Sequence, residues 1–404
     1  MSVSDAVLAN RSSAIAPVRK ELSSSVVWLL TILAALTVAN LYYNQPLLPA
    51  IARTYGVTNG QAGMVAVLTQ VGYAIGLVAF VPLGDGVEPR RLMLMLLAAV
   101  TVSLVGAAVA PTLALGSMAA LAIGATTVVP QIIFPLAAGL APPERRGATV
   151  GRIMGGVLVG ILGARTIAGF VGAAIGWRWM YAVAAITMAL CAVVVRVALP
   201  AYHPRATVSY RELLRSLVPI ARREPVARDA ALLGALMFGS FSAFWTTLAF
   251  RLEAPPLHYG SRMAGLFGLL GITGAAVAPI AGRLADRRSA RVTVGYAIAA
   301  VAVGWIIFAV AGTTLWGIAI GVVVLDAGVQ AAQVSNQSRI YALDTRLHGR
   351  LNTIYMVSYF IGAAVGSALG SAAWEIARWP GVCAVGLGLT VAAGLRYRLA
   401  RPPA

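Results

Sequence analysis

Residues 322–343, VVVLDAGVQAAQVSNQSRIYAL, set a carboxylate and three glutamines into a run otherwise rich in Val, Leu, Ala and Gly. Asp326 is followed by Gln330, Gln333 and Gln337, four, seven and eleven residues on, which places all four on one helical face. Such a helix borders apolar surroundings on most sides and water on one. A carboxylate there can take up and release a proton, while amides donate and accept hydrogen bonds together. A second charge deep in an apolar run is Arg165, within GILGARTIAG at 160–169. At the centre of a membrane helix either charge costs about 2.5–3.5 kcal/mol on insertion scales, so both are expected to face a bundle interior or cavity. Burial and a nearby cation act oppositely on a carboxylate, so an Asp–Arg pair can poise a proton-binding group. A structural ion pair is the alternative, and Arg165 can instead offer substrate its donor fork.

The elements that position these groups follow from composition. The 404 residues are 59% hydrophobic and 11% charged, with a mean hydropathy of +0.84. So few charges cannot cover a water-soluble surface of this size. Apolar stretches able to cross a bilayer, about 20 residues each, recur at roughly 26–52, 60–83, 91–110, 115–140, 148–173, 177–198, 228–251, 261–284, 291–311, 315–341, 349–373 and 379–396. The expected fold is an all-α integral membrane protein of twelve transmembrane helices in two pseudo-symmetric six-helix bundles. Residues 1–25 form a polar tail without the apolar core of a signal peptide. The bundles are expected at 26–198 and 228–396, joined by a loop at 199–227 and followed by a tail at 397–404.

A net charge of +18 suggests nucleic acid until its distribution is considered. With the amino terminus cytoplasmic, 25 of the 31 Lys and Arg fall on the cytoplasmic side, five on the other, and Arg165 within a span. That asymmetry is the positive-inside signal and puts both termini in the cytoplasm. No nucleic-acid partner is expected. Thirty Arg against one Lys points to a GC-rich bacterial genome, and so to the inner membrane. Cys191 and Cys383 each lie inside a span and read as packing residues. His203, His258 and His348 are isolated and make no metal set. No Walker glycine–lysine loop is present, so direct use of ATP is not expected, nor is any cofactor or enzymatic activity.

The halves align with a shift near 202 residues: Gly63 with Gly265, Gly147 with Gly349, Gly160 with Gly362, Trp177 with Trp379, and Asp85 one residue from Asp286. Two parallel six-helix repeats imply a pseudo-two-fold axis along the membrane normal, with a site between them.

GRLADRRSAR at 282–291 resembles the loop signature of the major facilitator superfamily. VPLGDGVEPRRL at 81–92 occupies the matching place in the first half, with Val81, Gly86 and Pro89 departing from the pattern. ANLYYNQPLLPAIA, APPERRG and GWRW extend the resemblance to the bacterial exporter branch, which includes sugar and nucleoside efflux proteins and drug:proton antiporters. In those antiporters the fifth span carries a Gly-Pro where this chain has Ala164 and Arg165, and the fourth an Arg where residues 115–140 have none. The resemblance implies a cytoplasmic latch of Asp85, Arg90, Arg91, Gly282, Asp286, Arg287 and Arg291, and a cavity lined by the first, fourth, seventh and tenth spans.

Candidate substrate contacts are Asn40, Tyr43 and Asn44 before Pro46, Gln131 beside Pro130, Trp245, Gln330, Gln333, Tyr355 and Tyr359. Amides and rings suit a neutral, hydroxyl-bearing or planar small molecule. Many membrane amides instead bond neighbouring helices. The expected function is secondary transport: export of a small organic molecule in exchange for protons, by a monomer in the lipid bilayer. Proton-coupled uptake on the same fold, and a non-transporting sensor or scaffold, are the alternatives.

Overall fold

A computed structural model describes residues 24–201, 210–287, 289–344 and 347–400, and among these every regular element is helical. The first half contains α1 (Ser24–Ala39), α2 (Leu48–Tyr55), α3 (Asn59–Ala62), α4 (Met64–Ala79), α5 (Pro89–Val109), α6 (Leu113–Thr126), α7 (Val129–Leu140), α8 (Arg146–Ile175) and α9 (Trp177–Ala198). A connecting helix, α10 (Tyr210–Arg223), leads to α11 (Pro225–Glu253), α12 (Ser261–Leu270), α13 (Ile272–Arg287), α14 (Ala290–Ala311), α15 (Leu315–Tyr341) and α16 (His348–Leu399). Ten continuous helical stretches are long and apolar enough to cross a membrane. One of them, α16, has 52 residues and breaks at Ala377 and Arg378, whose backbone leaves helical geometry just before Pro380. With its two arms and the shorter α1, the chain accommodates the twelve expected passes.

Prolines set the other interruptions. A proline removes one amide donor and crowds the carbonyl four residues earlier. Pro130 does this to Thr126, where α6 ends, and the chain re-enters helix at Val129. Pro46 opens the 3-10 turn Gln45–Leu47, and α1 has already stopped at Ala39, so Asn40–Asn44 lie in a turn rather than on a helix. The interval expected to be polar loop holds α10. Its Tyr210 hydroxyl donates to the Ala79 carbonyl at 3.0 Å, anchoring it to the first half.

The internal repeat reappears as matched packing. A methyl group added at Gly160 would lie 2.2 Å from the Ala35 carbonyl oxygen, and one at Gly362 would lie 2.1 Å from that of Ala235. Backbone contact thus seats α8 on α1 and α16 on α11 in the same way. Between halves, α4 crosses α16 where Gly63 meets Ser371, and α12 crosses α8 where Gly265 meets Gly169. These two crossings are related by the same shift of 202 residues. Small residues at each let the backbones approach closely, as membrane helix packing requires.

The cross-half contacts gather at the end opposite α10. Arg53 pairs with Glu253, the Gly60 amide donates to Glu375 Oε1 at 2.6 Å, and Gln70 donates to the Ser367 hydroxyl at 3.1 Å. Thr166 donates to the Gly265 carbonyl at 3.0 Å. That far end is closed, and the end beside α10 is open.

A side chain at Gly169 would displace the Ser261 carbonyl, which lies 2.5 Å from an added methyl, and so oppose this closure. Gly169→Leu is expected to favour a far-end-open state by about 1–3 kcal/mol, the usual penalty for overpacking. Electron–electron distances between spin labels on the α2–α3 and α11–α12 turns check this, and an unchanged distribution counts against it.

Candidate functional site

The open end leads into a cavity of about 1180 Å³ between the halves. Near its mouth stand Val81, Leu213, Leu217, Tyr341, His348 and Arg350, and among its walls are Gln131, Phe134, Phe238, Phe241, Tyr359 and Phe360. Asp326, Gln330, Gln333 and Gln337 all line it. The polar stripe of α15 is therefore cavity wall along its length, from the mouth inward to Asp326.

Arg165 and Asp326 form the floor, 2% and 6% exposed. They come from opposite halves, on α8 and α15. Glycines of the span formed by α12 and α13, which is interrupted at Gly271, make room for both: a methyl at Gly268 would lie 2.7 Å from Arg165 Cβ, and one at Gly271 would lie 3.1 Å from Asp326 Oδ2. No ion pair joins them among the described residues. Trp245 of α11 stands between. Its Nε1–H donates to Asp326 Oδ1 at 3.2 Å, and the Arg165 guanidinium carbon lies 3.9 Å from the centre of its ring. The guanidinium also lies 4.8 Å from the Tyr42 ring and 5.9 Å from that of Phe241, and its Nε donates to Gln45 Oε1 at 2.7 Å. A dry aromatic box strengthens such cation–π contacts. Arg165 Nη2 is buried without a partner.

Of the expected substrate contacts, Gln131, Gln330, Gln333 and Tyr359 reach the wall. Gln131 donates to the Tyr73 hydroxyl at 3.3 Å, and the Tyr359 hydroxyl donates to Gln333 at 3.2 Å. The remaining five lie away from it. Asn40 donates to Met188 Sδ at 3.2 Å and Asn44 to the Thr69 hydroxyl at 3.1 Å, both inside the first half, where Tyr43 is also buried. The end of α1 at Ala39 is the reason, because helical spacing no longer assigns a face beyond it. Tyr355 packs against Gly234 within the second half, and Trp245 lies behind the wall. The rings that do line the cavity include Tyr42, Tyr73, Phe238, Phe241 and Phe360. Phe238 and Phe241 continue the helical face of Trp245, which was the available signal; Tyr73 had none.

Other buried charges prove to be paired within one half. Asp229 takes Arg339 and Arg396, and Arg251 donates to the Gly312 and Pro255 carbonyls at 2.9 and 2.8 Å. Among the latch residues, Arg90 donates to the Arg196 carbonyl and Arg291 to that of Tyr397, each inside its own half. Gly282 faces Val334, while Arg91 and Arg287 are exposed. The side chains of Asp85 and Asp286 lie outside the described residues.

Two helical halves around a cavity open at one end have the architecture of a membrane transporter. The chain belongs to the Major Facilitator Superfamily, whose family model matches residues 27–346. It is 39% identical to the uncharacterized transporter YgaY of Escherichia coli O157:H7 over 366 residues, covering 91% of this chain and 93% of that protein. Its fold is similar to that of a bacterial homolog of the human lysosomal transporter Spinster in an inward-facing, unoccupied conformation, with TM-score 0.72, 15% identity and 95% of each chain covered. The nucleoside transporter NupG is also similar, with TM-score 0.71, 13% identity, and 92% of this chain and 98% of that one covered. The protein is thus a multi-pass secondary transporter of small molecules rather than an enzyme.

Arg165→Gln removes the cation from the floor and leaves Asp326 buried without its positive neighbour. Because an ionised buried carboxylate then lacks compensation, the variant is expected to lose most stability in alkaline buffer and least in mildly acid buffer. Arg165→Lys keeps the charge and should lose less at alkaline pH. Thermal unfolding across pH checks both, and equal losses at every pH for Gln rule the effect out.

Proposed function

We propose that this chain exports a small organic molecule from a bacterial cytoplasm in exchange for protons, with Asp326 as the protonation site. The observation that carries the reading is a buried carboxylate on the cavity floor, facing a cation from the opposite half without a direct ion pair. A proton taken up there changes the charge at the junction between the halves, so it biases one packing of the bundles over the other. The uneven distribution of Lys and Arg supports a cytoplasmic location for both termini and for the end carrying α10. In that orientation the cavity opens to the cytoplasm, ready to load substrate. Residues 26–198 and 228–396 act as the two rocking units of a monomer.

In this reading Gln131, Gln330, Gln333 and Tyr359 contact substrate, with Phe238, Phe241 and Phe360 offering stacking surfaces. The mixture favours a neutral or planar molecule with hydrogen-bonding groups at its edge. Asp85 and Asp286, with Arg90, Arg91, Arg287 and Arg291 around Gly282, latch the cytoplasmic end in the opposite conformation. Arg90 and Arg291 hold carbonyls of their own halves while that end stands open.

A thermal-shift screen of the purified chain against metabolites and drugs supplies a substrate, since ligand at a hundred times its Kd stabilises by about 2.7 kcal/mol. In proteoliposomes of known orientation, an imposed proton gradient should then drive that compound against the proton flow. Movement with the protons instead identifies uptake, and binding without any flux identifies a sensor. Asp326→Asn keeps size and hydrogen bonding but cannot titrate. It is expected to bind the compound and to lose proton-driven net transport; an unchanged rate and pH dependence would sink the coupling role.

A further inference from the structure

Four side chains cross the cavity floor in sequence. Gln45 Oε1 accepts from Arg165 Nε at 2.7 Å, the Arg165 guanidinium stacks 3.9 Å from the Trp245 ring centre, and Trp245 Nε1–H donates to Asp326 at 3.2 Å. The first two belong to one half and the last two to the other. The step between halves is the stack of guanidinium on indole. Trp245 is 2% exposed and lies behind the cavity wall, so substrate does not reach it in this conformation. Its ring is held edge-on by Phe244 at 5.5 Å, which is itself stacked on Phe308 at 4.4 Å. The indole therefore has a fixed plane, with one edge committed to Asp326 and one face to Arg165.

We infer that Trp245 is the positioning residue that transmits the charge state of Asp326 to the other half of the transporter. This rests on the proton-coupling reading of the cavity. A carboxylate accepts a shorter and stronger hydrogen bond than a carboxylic acid does. While Asp326 is ionised, the indole is pinned by its N–H and presents its face squarely to Arg165. Protonation weakens that pin, the ring loses one of the contacts that fix its plane, and the cation–π stack loosens with it. Among the described residues Arg165 has an unpartnered Nη2 and a hydrogen bond to Gln45, so the looser stack is felt at the turn after α1. The titratable or charged groups facing Asp326 are Arg165 from α8 and Tyr359 from α16, with Tyr42 beyond Arg165. The interrupted span approaches through Gly271 and Gly274, and α14 presents Val301 and Gly304 to this part of α15. Trp245 touches both charges.

The test needs no substrate. The full chain in liposomes is titrated with protons and followed by infrared difference spectroscopy of the carboxylic C=O stretch. Wild type should show a titrating band that Asp326→Asn lacks. Trp245→Phe keeps a ring face for Arg165 but removes the N–H, so the band should titrate about one pH unit higher, the effect of one hydrogen bond lost to the charged form. Adding Trp245→Phe to Asp326→Asn should produce no further pH-dependent change. A band at the same midpoint in Trp245→Phe overturns the role of Trp245 and leaves the coupling reading standing; a band that survives Asp326→Asn overturns the coupling reading itself. Should Trp245→Phe fail to fold, tryptophan emission of wild type and Asp326→Asn decides the matter. A pH-dependent step at the band's midpoint in wild type, absent from Asp326→Asn, is expected; no step in wild type, or one retained in Asp326→Asn, overturns the inference.

Discussion

A guanidinium and a carboxylate removed from water on the same cavity floor must each be compensated, and they do so through the indole of Trp245 instead of a direct ion pair. Much of the surrounding architecture serves that arrangement. Glycines of the interrupted span let Arg165 and Asp326 approach, the turn after α1 supplies Gln45 as an acceptor, and rings of Tyr42 and Phe241 wall in the cation. Without these, either charge would bear the desolvation penalty that makes ionised groups rare inside membranes. A direct salt bridge would satisfy both more simply, but it would also bind the halves through a full charge pair. An indole between them holds the same groups through two weaker contacts.

The closed far end follows a different logic. Its contacts are mostly neutral hydrogen bonds and small-residue crossings, with Arg53–Glu253 and Glu375 at the exposed rim. Exposed ion pairs contribute little in water, whereas Gly169 against Gly265 and Gly63 against Ser371 bring helix backbones into contact. Such surfaces can part and re-form without leaving a buried charge alone. By contrast Asp229, Arg339 and Arg396 tie α11, α15 and the end of α16 within a single half. Buried charge pairing ties helices of one half, whereas the ion pair between the halves, Arg53–Glu253, stands at the exposed rim.

The matched crossings of α4 with α16 and of α8 with α12 give the two halves equivalent contacts, related by the internal repeat. The cavity they enclose is not symmetric in chemistry. Its amide stripe and carboxylate come from α15, and its cation from α8, so the repeats share a scaffold but not a site. The likeness to Spinster-like and nucleoside transporters at 13–15% identity is a likeness of that scaffold alone.

The amino-acid sequence by itself determined the membrane setting, the two repeats, and the polar face of α15. Apolar length, charge asymmetry and helical period are local quantities that survive without coordinates. It also marked Asp326 and Arg165, since a charge in an apolar run stands out wherever the helix lies. Only the tertiary structure decided what those charges touch. Gln45 and Arg165 are 120 residues apart and Trp245 and Asp326 are 81 apart, and no periodicity relates them. The structure also turned Asn40, Tyr43 and Asn44 inward, because a face read from helical spacing has no meaning once the helix has ended. Tyr355 kept its helix but met a second-half neighbour in place of the cavity, for the orientation of a helix about its own axis is set by the helices packed around it.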